Sequence, residues 1–96
     1  MKVRYTLPAR ADLEEIYTYI SEHNPLAAER VKLRIKSDVG KLADLPFIGQ
    51  QSDFPGIRTR KVRRYRYRIF YTVRDGEVLI LHIRHGARRD PWEEEV

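Results

Sequence analysis

Tyr65-Arg66-Tyr67-Arg68-Ile69-Phe70-Tyr71-Thr72-Val73, then Asp75-Gly76, then Val78-Leu79-Ile80-Leu81-His82-Ile83-Arg84-His85 is the stretch that decides the fold. Aromatic and β-branched residues fill both arms, and they pack well on a pleated, half-buried surface. Asp-Gly between two such runs accepts the positive φ of a tight turn, so the stretch reads as a β-hairpin. Alternation assigns the faces of the first arm: Tyr67, Ile69, Tyr71 and Val73 form a core-facing row, while Arg66, Arg68, Thr72 and Arg74 point away with Phe70 among them. In the second arm Leu79, Leu81 and Ile83 alternate with Val78, Ile80, His82 and Arg84. That strand is apolar on both sides until its end, as a central strand would be, and polarity resumes at His82, Arg84, His85, Arg88 and Arg89.

Working outward, Ile57-Arg58-Thr59-Arg60-Lys61-Val62 reads as a strand antiparallel to the hairpin, preceded by a polar loop from Gln50 to Gly56. Leu45-Pro46-Phe47-Ile48-Gly49 breaks the element before it. That element is a helix from Pro25 to about Ala43, with Asn24 as cap, Pro25 in the first turn, and Ala28, Val31, Ile35, Val39 and Leu42 on one stripe. Gly40 inside it marks close packing or an early end. An earlier helix starts at Ala9, carries Leu13, Ile16, Tyr17 and Ile20 on its stripe, and ends near Ser21 to His23. Asp12, Glu14 and Glu15 lie in its early turns, where carboxylates suit the helix dipole. Lys2 to Leu7 alternates as a half-buried strand that Pro8 stops. The expected fold is α+β: a strand, an antiparallel helical hairpin, and a three-stranded antiparallel meander whose apolar face the helices cover, with the first strand added at an edge.

A chain of 96 residues supports one domain, residues 1–96, that buries about two-thirds of the surface its unfolded form exposes. Cysteine is absent, which removes disulfides and thiolate metal sites and fits a reducing cytoplasm. The three histidines have no metal-ligand spacing, so neither a metal nor a cofactor is expected. No export signal and no apolar run of about 20 residues is present, so no membrane partner is expected either. The net charge of +5 conceals an asymmetry: residues 57–89 contain eleven Lys/Arg against Asp75 and Glu77, whereas residues 1–56 are balanced. An acidic tail follows, Asp90 with Glu93-Glu94-Glu95. Such a local field favours a polyanion or an acidic protein surface.

Leu42-x3-Pro46-x2-Gly49, Arg58 at the next strand, the strand Tyr67-Arg68-Ile69-Phe70-Tyr71, and Leu81-x3-His85-Gly86-Ala87-Arg88 at the end together resemble the RelE/ParE superfamily of bacterial type II toxins. The His-Gly-Ala-Arg ending is more similar to the ParE, or plasmid-stabilisation, branch. The resemblance implies a toxin held inactive by a cognate antitoxin. In the RelE branch the action is ribosome-dependent cleavage of mRNA, which needs an acid, a base and cations around phosphorus. His85, Arg60, Lys61, Arg64 and Arg84 are the candidates for those roles. The RNase branch usually carries a Tyr or a His-Tyr pair near the C-terminus, where this chain has Trp92. In the ParE branch the action is inhibition of DNA gyrase by binding, which needs a surface. Arg58, Arg60, Arg64, Arg66, Arg68, Arg84, Arg88 and Arg89 are the candidates for contacting target or antitoxin, with guanidinium favoured for its planar fork. The absence of an evident acid/base pair favours the ParE action; a non-toxic, basic nucleic-acid-binding module is a further alternative. Pro91-Trp92 is expected to fold back on the sheet.

Overall fold

In the computed structural model, which describes residues 1–93, five strands form one sheet beneath a helical hairpin. The elements are β1 (Lys2–Tyr5), α1 (Leu7–Ser21), α2 (Pro25–Lys41), β2 (Gln50–Gln51), β3 (Arg58–Lys61), β4 (Tyr67–Arg74) and β5 (Glu77–His85), closed by a 3₁₀ turn at Pro91–Glu93. The sheet order is β1-β5-β4-β3-β2. β1 adds to the edge parallel to β5, and every other pairing is antiparallel. The β4–β5 turn has the expected positive φ, 52° at Asp75 and 73° at Gly76.

Ile69, Tyr71, Val78, Ile80 and Ile83 form the sheet side of the core, and Leu13, Val31, Ile35, Val39 and Leu42 form the helix side. The odd row of β4 is therefore inward, as its alternation predicts. β5 departs from strict alternation. Tyr71 pairs with Ile80 and Phe70 with His82, so Leu81 is an extra residue in a bulge. The bulge moves the inward row from Val78 and Ile80 to Ile83, because two residues then oppose one on β4. Thr6 anchors the bulge, with its hydroxyl 2.7 Å from the Ile80 carbonyl oxygen and 3.3 Å from that of Leu81.

Three local expectations need correction. α1 begins at Leu7, not Ala9: Thr6 is the N-cap, accepting from the Ala9 N–H at 3.4 Å, and Pro8 sits in the first turn, where its missing N–H costs nothing. Gln50 and Gln51 are not loop but a short strand pairing with Thr59 and Arg58, so the meander gains an edge. Gly40 has open space around it, so it does not mark close packing; it stands one residue before the end of α2 at Lys41, short of the expected Ala43. The Asn24 cap holds as expected, accepting from the Ala27 N–H at 3.1 Å.

Candidate functional site

The bulge and the two hairpin turns divide the charged side chains between the two faces of the sheet. Directly opposed residues of an antiparallel pair share a face. Arg58 opposes Tyr71 and Arg60 opposes Ile69, so both lie on the helix side rather than with Arg66 and Arg68. The candidate arginines thus occupy two surfaces. Arg58 is engaged structurally: its guanidinium donates to the carbonyls of Gly49 at 2.8 Å and Phe47 at 3.3 Å, and lies 5.1 Å from the Phe47 ring centre.

On the open face, Lys61 opposes Arg68, and Arg68 opposes Arg84. Three cations therefore form one row across three adjacent strands, spanning about 10 Å at the usual strand spacing. Like charges directly opposed destabilise a sheet. Two carboxylates relieve this row. Asp90 Oδ1 is 2.6 Å from the Arg68 guanidinium, and Asp12 Oδ2 is 3.7 Å from Arg84 Nε. Lys61, Arg66, Arg68, Tyr65 and Gly86 line a depression of about 430 Å³ at the β3–β4 end of this row. Arg64, at φ 72°, and Arg63 are exposed on the adjoining turn.

Asp12 does not serve the helix dipole, the task its place in the sequence suggests, because α1 starts at Leu7 and its first turn holds no carboxylate. β1 stops at Tyr5, and the Thr6 N–H to Ile80 oxygen bond, 3.1 Å, is the last backbone rung on that edge of β5. Beyond it, Asp12 Oδ2 accepts from the Ile83 N–H at 3.0 Å and lies 2.9 Å from His82 Nδ1. One carboxylate from α1 thus closes the strand edge and fixes His82 and Arg84. The sequence offers no local signal for this, since 70 positions separate Asp12 from His82.

His85 lines a groove of about 390 Å³ between α1 and the end of β5, with Asp12, Glu15, Tyr19, Tyr67, Arg84 and Arg88. Its Nδ1 accepts from the Ala87 N–H at 3.2 Å, and its ring meets Tyr67 edge-on at 5.5 Å. Burial first, and Tyr19 second, raise the Tyr67 phenol above its ordinary 10.0. At neutral pH it is a proton donor and not a base. Arg60 and Lys61 line a separate depression on the β2–β3 side. The structure therefore does not gather the ribonuclease candidates: His85 and Arg84 share one groove, Arg60 and Lys61 another, and Arg64 is at the turn. Arg88 and Arg89 are exposed beyond β5.

The C-terminal segment covers part of the open face, as expected of Pro91-Trp92. Pro91 is buried, and the Trp92 ring lies 5.7 Å from Phe70 and 5.5 Å from Phe54. Of the acidic tail, Glu94 and Glu95 lie outside the described residues. Among the described residues no group of three or more His, Asp or Glu side chains is placed to hold a metal ion, and no helix is long and apolar enough to cross a membrane.

A helical hairpin on a bulged sheet of this order is the RelE/ParE fold. The isolated RelE toxin of Escherichia coli shares it at a TM-score of 0.67 and 16% identity, over 98% of this chain and 93% of that one. The chromosomal ParDE toxin-antitoxin system of P. aeruginosa contains a chain that matches at a TM-score of 0.79 and 30% identity, over 88% of this chain and 95% of its own. Toxin RelE2 of Caulobacter vibrioides is 40% identical over 91 residues, 91% of this chain and 97% of that toxin. Residues 3–90 match the family described as the ParE toxin of the type II toxin-antitoxin system parDE. The chain belongs to that family and is a type II toxin of the ParE/RelE superfamily.

Proposed function

We propose that this toxin acts on DNA gyrase by binding and without chemistry of its own, in the cytoplasm, and that a cognate antitoxin neutralises it. The observation that carries the reading is the dispersal of the ribonuclease candidates. Cleavage by a 2′-hydroxyl needs base, acid and phosphate-holding cations around one atom. His85 instead has Nδ1 committed to the Ala87 N–H and, among the described residues, no carboxylate bonded to it, and Arg60 and Lys61 line a different depression. A binding surface has no such requirement, and the exposed cations at the β3–β4 turn supply one for an acidic target. A ribosome-dependent messenger RNase is the second reading. It is favoured by the RelE name of the 40% identical relative and by Arg84 and Arg88 beside His85.

For the antitoxin, α2 offers Leu26 and Leu33, which are 72% and 58% exposed, and α1 offers Tyr19, 68% exposed, at the groove beside His85. An amphipathic antitoxin helix laid on these residues, or a strand added at the sheet edge, with acidic side chains toward the arginines, is the expected mode. The test is gyrase supercoiling of relaxed plasmid by the purified chain and its Arg60→Glu/Arg64→Glu variant. The wild type is expected to block supercoiling and leave linearised plasmid. The double variant is expected to lose at least tenfold in potency, and its antitoxin affinity is expected to fall as well. Unaltered inhibition and antitoxin binding would remove these arginines from the mechanism. Arg58 is left out of the variant because it braces the Phe47–Gly49 carbonyls.

A further inference from the structure

We infer that the cavity between the C-terminal turn, the loop around Phe54 and the start of α1 binds a small, uncharged bicyclic aromatic compound that carries one N–H or O–H donor, with His82 as its acceptor. The inference stands apart from the gyrase reading and uses none of the residues on which that reading rests. The cavity holds about 430 Å³, within the range of small-molecule sites. Phe54, Phe70 and Trp92 supply three rings, and Ile57 and Leu81 an aliphatic wall. Trp92 lies at 88° to Phe70 and 45° to Phe54, so it stacks flat on neither and leaves ring faces open to a guest. The chain has 19 Lys/Arg, yet among the described residues none of them lines this cavity. It offers an anion no partner and suits an apolar guest.

The polar side chain left to that guest is delivered by the bulge. In a regular strand Leu81 and His82 would point to opposite faces; with Leu81 as the extra residue, both line the same cavity. Thr6 lines it as well, but its hydroxyl is committed to the Ile80 carbonyl. His82 is set differently. Its Nδ1 lies 2.9 Å from Asp12 Oδ2, and an ionised carboxylate only accepts, so that nitrogen carries the proton and Nε2 of the neutral ring is the acceptor. The Arg84 guanidinium, 3.4 Å from the same Nδ1, has nothing to donate to on a nitrogen that already bears hydrogen. Among the described residues no group bonds Nε2. An aromatic side chain of a partner protein would meet the same walls. Its interface, however, needs a wider apolar surround, and here the surface turns charged at once, with Arg68 5.0 Å from the Phe70 ring centre and Asp90 beside Pro91.

The experiment follows the N–H correlation spectrum of the full isotope-labelled chain at about pH 8, where an ordinary imidazole is neutral, as indole or N-methylindole is added. Trp92 is the chain's one tryptophan, so its side-chain signal reports on the cavity directly. Indole is expected to shift that signal and the Phe54 and His82 amides with a Kd of about 0.1–1 mM, the range for a fragment of its size. N-methylindole, alike in shape but without the donor, is expected to bind about fivefold more weakly, the equivalent of one net hydrogen bond. His82→Phe keeps a ring and removes the acceptor, and is expected to bind both probes equally, at the wild-type affinity for N-methylindole. Thermal melts show whether that variant is folded; if it is not, the two-probe comparison on the wild type decides the matter. Phe54→Ala, an exposed change at the cavity mouth, is expected to weaken both probes about fivefold. An unmoved Trp92 signal, equal affinity of the wild type for the two probes, or a folded His82→Phe that still prefers indole would each overturn the inference. Shifts centred on Tyr19 and Tyr67 would place the probe in the His85 groove, and a Trp92 signal that moves only when an antitoxin is added would give the cavity to a partner's side chain; either result overturns it as well. Each of these failures would leave the gyrase reading intact.

Discussion

Gly49→Ala is expected to destabilise the fold by about 3 kcal/mol, the cost of forcing an added group into a filled site. A Cβ at Gly49 would lie 2.6 Å from the Tyr71 hydroxyl, 2.7 Å from the Thr59 carbonyl oxygen and 2.7 Å from the Tyr71 ring. None of these can yield cheaply. Tyr71 is fully buried, and the Thr59 oxygen belongs to β3. The Gly49 N–H also donates to the Tyr71 hydroxyl at 2.9 Å, a bond that the displaced loop would lose. Gly40→Ala is the matched control: its Cβ would meet nothing within 4 Å, and in the last turn of α2 it is expected to stabilise by about 0.5 kcal/mol, chiefly by restricting the unfolded chain. At about 4–8 °C per kcal/mol for a domain of this size, thermal melts separate the two variants. Similar melting temperatures would mean that the Gly49 loop is not seated on Tyr71 as described.

Asp12→Ala is expected to cost about 2–3 kcal/mol, because it leaves the Ile83 N–H, His82 and Arg84 without their shared acceptor in a largely buried place. Asp12→Asn keeps an oxygen for the Ile83 N–H but removes the charge facing Arg84, so a smaller loss, about 1 kcal/mol, is expected. The readouts are denaturant unfolding and hydrogen exchange at Ile83. That amide should exchange faster in Asp12→Ala while the Ile80 region, held by Thr6 and β1, stays protected. Unchanged Ile83 protection would mean that another group closes the edge of β5.

The hairpin, the two helices and the inward row of β4 are legible in the sequence because local signals specify them. Asp75-Gly76 accepts positive φ, Asn24-Pro25 caps a helix, and Tyr67, Ile69, Tyr71 and Val73 alternate. The helix start at Leu7 is also written in the chain, as Thr6 followed by Pro8, but the alternation of Val3, Tyr5 and Leu7 points to a longer strand. The bulge at Leu81 is not legible. It depends on Thr6 reaching the Ile80 and Leu81 carbonyls across 74 and 75 positions, and no periodicity within β5 records that. Asp12 escapes for the same reason: its partners lie on a strand, and nothing in the sequence of α1 names them. The candidate site is legible as a count of charges and not as a surface. Arg58 and Arg60 face the helix side because β3 meets β4 in a register that sequence alone does not fix.

The most direct test of the central claim, binding to gyrase without chemistry, sets the purified chain and its His85→Ala variant against two targets side by side: gyrase with relaxed plasmid, and ribosomes translating a defined message. Inhibited supercoiling with linearised plasmid, an intact message, and near-equal potency for His85→Ala are expected. Codon-phased cuts in the message that vanish in His85→Ala, with supercoiling unaffected, would contradict the claim and make the groove between α1 and β5 a ribonuclease site.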